Sequence, residues 1–195
     1  MCAFTSLPVY GSLFRMGIAT AASRPGEVPG TGSPALGRVR ELGLTVPIDL
    51  ERLAIARGCD YYDRQLDPRD SPLGEVPLSN AELAVALINP SLNPGAREIR
   101  LAAALLGAVD ESVAAVAALA QEENCAEVVR YIASCGHRFE PENAFWKALL
   151  DSLPDFRIDV GHLPHPTRFV EMTGIDRGKV ATFTRWVRAR MPVSA

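Results

Sequence analysis

Lysine is nearly missing from this chain: of its 20 basic residues only Lys147 and Lys179 are lysine, a skew toward arginine that carries no functional weight by itself. Cysteine is sparse as well. Cys2, Cys59, Cys125 and Cys135 stand far apart in 195 residues, without the density or spacing of a small secreted disulfide scaffold, so reduced thiols and a cytoplasmic setting are expected. Long apolar runs are absent too. Apolar stretches such as Leu83–Ile88 and Leu101–Leu106 fall far short of the roughly 20 residues a helix needs to cross a bilayer, and no membrane partner is expected. Catalytic signatures are likewise lacking: there is no glycine-rich phosphate loop, dinucleotide fingerprint, Gly-x-Ser-x-Gly elbow or His-Glu-x-x-His. No cofactor is expected, and an interaction role is favoured over catalysis. An enzyme whose residues gather from distant positions is the alternative that missing motifs leave open.

What the chain does have is apolar content, 48% of its residues, enough to bury one core without disulfides or metals. Its formal net charge of −3 is unevenly spread. Residues 1–74 carry eight bases and eight acids, residues 75–151 five bases and eleven acids, and residues 152–195 seven bases and four acids. An acidic middle therefore precedes a basic tail, and such asymmetry can mark a surface for an oppositely charged partner.

The first 45 residues read differently from the rest. Ser23–Gly37 is dense in Pro, Gly, Ser and Thr, with no periodic apolar face, which predicts a flexible arm over 1–45 whose removal leaves stability nearly unchanged. Residues 1–26 contain no acid and only Arg15 and Arg24. They faintly resemble a transit peptide but lack the charged n-region and cleavage pattern of a secretory signal; a disordered arm and a start at Met16 are the competing readings. A single helical domain is expected over 46–195, with the aspartates between Asp60 and Asp70 in a solvated loop rather than a cation site.

Helix signals are clearest over 78–153. Asp49 and Gly58 bracket a short first helix, and Ser79 with Glu82 forms a capping box ahead of a second. Asn93 and Pro94 open another that runs to Gly107; Asp110 opens the next; Asn124 opens one ending at Gly136; and Pro141 starts the last of this run. Ser79 to Asp110 and Asn93 to Asn124 are each 31 residues apart, a rhythm compatible with stacked helical hairpins, although no known repeat signature is legible. The fold class expected is all-α, a bundle of about seven helices, with a local helical repeat as the less favoured reading of that rhythm.

The final two of those helices come from Pro166–Arg190. Val170, Gly174, Ile175 and Val180 stand at the spacing that buries two short helices across a glycine turn, with Phe169 and Phe183 at further core places. The segment resembles a helix-turn-helix DNA-binding unit, and that resemblance implies a second helix offering Arg177, Lys179, Thr182 and Arg185 to DNA, with Arg188 meeting phosphate. The competing reading is a plain antiparallel helix pair. Cys135 with His137, and His162 with His165, are the weak candidates for zinc, but their spacing matches no familiar site and no metal is expected. The leading expectation is a protein-binding scaffold using the acidic middle. A DNA-binding protein using the basic tail is the alternative.

Overall fold

A computed structural model describes residues 33–59, 76–155, 163–173 and 183–189, all within a unit that spans Gly32–Ala195. Among the described residues seven α-helices follow one another: α1 Pro34–Glu41, α2 Ile48–Ala56, α3 Asn80–Leu87, α4 Ala96–Leu106, α5 Val113–Glu122, α6 Ala126–Phe139 and α7 Ala144–Ser152. Single 3-10 turns occupy Pro90–Leu92 and Pro166–Phe169, and two short strands, β1 Val170–Thr173 and β2 Phe183–Trp186, pair antiparallel. The protein is a helical bundle, as its apolar periodicity implies. Among the described residues no helix is long and apolar enough to cross a membrane.

Helices α3 and α4 form the centre. In α3 every residue but Glu82 is buried, and α4 buries the whole run Leu101–Leu106, the pattern of helices covered on all sides. The two pack on each other, with α1 and α2 against them on one flank and α5 reaching α3 and α7 on another. Arg57, at the end of α2, donates to Asn80 Oδ1 at 2.8 Å and to the carbonyls of Val76 and Leu78, while Asn80 Nδ2 donates to Ala108 O at 2.8 Å. Burial of this guanidinium lowers its pKa, and its bonds tie the chain before α3 to α2.

Part of the stretch expected as a flexible arm over 1–45 is helical instead: residues 34–41 form α1. Helix α1 buries Ala35, Leu36 and Val39 and is held at its start by Glu123, which is only 2% exposed. The Glu123 carboxylate accepts from Ala35 N at 2.7 Å, from Asn89 Nδ2 at 2.7 Å and from Ser33 Oγ. A carboxylate at a helix N-terminus satisfies free N–H groups and complements the helix dipole. Three apolar residues and one distant acid thus recruit a segment that proline and glycine had made look featureless.

Several cap assignments also move. Asp49 lies inside α2 and accepts from Thr45 N at 2.7 Å, while Ser112 and Asn143, not Asp110 and Pro141, cap α5 and α7. Asn93 and Asn124 take left-handed conformations that close the preceding turns instead of opening helices. Gly136 does not end α6, which continues to Phe139. A Cβ at Gly136 would sit 2.3 Å from the Trp146 ring, so the glycine is there for close packing. The bundle is not an open stack either: Phe169 O accepts from Val187 N and Ala104 O from Ala189 N, both at 3.0 Å or less, folding the C-terminal segment back over α4 in a way a one-dimensional repeat array does not.

The helix pair expected over 166–190 is replaced at both ends by strands. Val170 stands opposite Trp186 and Glu171 opposite Arg185 in the ladder. Short segments rich in valine, phenylalanine, threonine and tryptophan fit either period, and such residues favour a pleated, half-buried surface. Here the 3-10 turn ahead of β1 and strand β2 carry Phe169 and Trp186 into the core, stacked at 5.4 Å, with Trp186 also 5.0 Å from Trp146. Gly174 and Val180, the middle of the helix-turn-helix resemblance, and the aspartate loop at 60–70 lie outside the described residues.

Candidate functional site

Among the residues expected to meet nucleic acid, Arg177, Lys179 and Thr182 lie outside the described residues. Arg185 is exposed on β2. Arg188 is engaged within the fold: its Nε donates to Gly107 O at 2.8 Å and its Nη2 to Glu140 Oε2 at 2.5 Å. The reason is local. The end of α4 leaves carbonyls that need donors, and Trp186 Nε1 reaches Ala103 O at 3.1 Å while Ala189 N reaches Ala104 O at 2.9 Å. Arg188 completes that closure. Burial pushes the Glu140 carboxyl up, but hydrogen bonds from Trp146, Arg188 and Asn143, with the Arg188 charge, outweigh it and hold the group below its ordinary value.

The zinc candidates do not converge. Cys135 packs in the core, whereas positions i and i+2 such as Cys135 and His137 do not share a helix face. His137 keeps its Nδ1 buried with no hydrogen-bond partner. His165 is exposed, and its ring Nδ1 lies 2.9 Å from Thr167 Oγ1 at the start of a 3-10 turn; His162 lies outside the described residues. Among the described residues no three His, Cys, Asp or Glu side chains gather as metal ligands would.

Thiol chemistry is disfavoured by the same burial. Cys125 caps α6, a place that ordinarily favours thiolate, yet burial, aided by the Glu123 charge, pushes its pKa up to about 12. The Cys135 thiol is raised by burial too, so both stay protonated at neutral pH. Tyr131 donates to Pro164 O at 2.6 Å, and burial raises its hydroxyl to about 12.

The acidic middle does contain a concave surface. A groove of about 460 Å³ runs between the start of α3 and the length of α5, lined by Ser79, Ala81, Glu82, Glu111, Ala115, Val116, Ala118, Leu119 and Glu122. Its floor is apolar and its charged residues are all glutamate. Glu82 is engaged: it accepts from Ser79 N at 2.7 Å and pairs with Arg38 of α1. Glu122 is exposed. Both Glu111 oxygens are shielded from solvent and have no hydrogen-bond partner.

One wall of this groove is unusual for a surface helix. From Val113 to Ala120, α5 carries eight apolar residues in succession, and a helix apolar all round is normally interior. Yet only Val116, Ala117 and Ala120 are buried, while Ala114, Ala115 and Ala118 are exposed and Val113 and Leu119 half-buried. The inward face was legible in the sequence. The outward one had a signal too, the missing polar stripe, but whether a neighbour covers it is a matter of packing.

No known protein family, curated protein or solved structure matches the chain.

Proposed function

We propose that the chain is a protein-binding helical module whose groove between α3 and α5 receives an apolar-faced, positively charged segment of a partner protein. The observation that carries this reading is the exposed apolar side of α5, placed along a concave surface. Solvent-facing apolar surface beside a groove is the usual setting for helix-in-groove recognition. The glutamates along it favour a partner of opposite charge and disfavour an acidic one.

Fluorescence anisotropy with three amphipathic peptides, sharing one apolar face and differing only in a basic, neutral or acidic polar face, tests the reading on the whole chain. The basic peptide is expected to bind, and Ala118→Arg, which fills and recharges the groove, to abolish binding without shifting the melting curve. Equal binding of all three, or indifference to Ala118→Arg, defeats it. For the nucleic-acid alternative, Arg185 is the exposed residue among those described. A mixed duplex pool at low salt, retained by the unmodified protein but not after Arg177→Ala with Arg185→Ala, favours that alternative instead.

A further inference from the structure

The three groove carboxylates are not equivalent. Glu82 is held by the capping box and by Arg38, so turning it toward a ligand breaks bonds that hold α1 and α3. Glu122 sits at the far end of α5 in open solvent, where an ion pair contributes little. Glu111, one residue before the Ser112 cap of α5, has both oxygens shielded and no donor to either. An ionised carboxylate removed from water without hydrogen bonds destabilises a fold. Arg57 is close enough for its charge to be felt, but its bonds go to Asn80 Oδ1 and to the Val76 and Leu78 carbonyls.

We infer that Glu111 is the specificity-determining residue of the groove and that the docked segment sets an arginine guanidinium against it; this rests on the docking reading above. A rotation of the Glu111 side chain into the groove leaves no hydrogen bond behind, so the carboxylate gains donors without losing any. Arginine suits the position better than lysine, because its planar fork donates twice to one carboxylate and sheds water more readily. The apolar α5 wall supplies contact for the arginine stem and for small apolar neighbours in the segment.

The test selects peptides from a random phage-displayed library against the whole chain. The best binder is then synthesised with its arginine kept, changed to lysine, or changed to neutral, isosteric citrulline. Arginine is expected to be enriched, and citrulline to weaken binding roughly tenfold or more, with lysine between. Against Glu111→Gln the citrulline penalty disappears, the mark of a direct pair in a double-mutant cycle. Glu111→Gln is also expected to melt at or above the unmodified protein, since it removes a buried charge that lacks donors. A clear drop in its melting temperature assigns Glu111 to Arg57 as a structural counter-ion and overturns the inference. So does a selection without arginine enrichment, or a citrulline penalty that persists in Glu111→Gln while Ala118→Arg still blocks binding; docking then stands and the cation is read elsewhere. An empty selection, or binders indifferent to Ala118→Arg, removes the groove reading and this inference with it.

Discussion

Helices α3 and α5 are written in nearly the same residues, Asn-Ala-Glu-Leu-Ala-Val-Ala-Leu and Val-Ala-Ala-Val-Ala-Ala-Leu-Ala-Gln-Glu, yet α3 is buried at every residue but Glu82 and α5 along one face only. The difference lies in the neighbours. Helix α3 is flanked by α1, α2, α4 and α5, whereas α5 has α3, α6 and α7 and then solvent. An apolar helix covered all round contributes to the core, and the same kind of helix left half bare becomes a surface for something else. The groove and the proposed function follow from that contrast.

The largest effect should come from uncovering α3. Deleting residues 1–45 removes Leu36 and Val39, 2% and 0% exposed, and leaves the buried Glu123 without Ser33 and Ala35 as donors. Two lost apolar side chains and a stranded carboxylate amount to at least about 4 kcal/mol, a large part of a typical domain's stability. Urea denaturation is expected to show a transition shifted far down in denaturant; an unchanged midpoint would mean that α1 contributes nothing to the core.

Side-chain changes sharpen the same contrast at smaller cost. Leu83→Ala in α3, where the residue is fully buried, should cost about 2 to 5 kcal/mol, while Ala118→Glu on the exposed side of α5 should stay within about 0.5 kcal/mol. Comparable losses in thermal melts would show that the α5 face is covered after all.

A smaller loss than that at Leu83 is expected at the closure over α4. Glu140→Gln weakens the acceptor shared by Trp146, Arg188 and Asn143, for about 1 kcal/mol at neutral pH after allowing for the partial exposure of the pair. Because the folded carboxyl is held below its ordinary value near 4.5, its contribution is complete above that value and fades as pH falls through the folded one. The stability gap between the two proteins should therefore be widest at neutral pH and close in acid. A gap independent of pH contradicts the role given to its charge.

Much of the helical order could be read locally. The Ser79–Glu82 capping box is present as its spacing implied, and the apolar positions at helical spacing are buried at Ile99, Ala102, Ala103 and Leu106 of α4, Val116, Ala117 and Ala120 of α5, Tyr131, Ile132 and Cys135 of α6 and Trp146 and Leu149 of α7, while Val113, Val128 and Leu150 are only half-buried. Other elements were misread where one local signal serves two purposes. Proline and glycine around Ser23–Gly37 hid the short apolar face of α1, and Gly136 looked like a helix stop because a packing glycine and a capping glycine are the same residue. The Pro166–Arg190 segment fits a helix period and a strand period equally well over such short runs. Of the site, the acidic character of 75–151 was visible, whereas Arg188 looked like a free cation until its bonds to Gly107 and Glu140 were seen.

By itself, then, the sequence determined which residues are apolar, with what period, and along which stretches α2 to α7 lie, because those depend on interactions a few residues apart. Only the tertiary structure decided that Glu123 would hold α1, that Trp186 and Arg188 would close the end of α4, and that α5 would keep one apolar side in solvent. Each of these depends on groups at least 80 residues apart or on a neighbour's absence, and no local pattern records either.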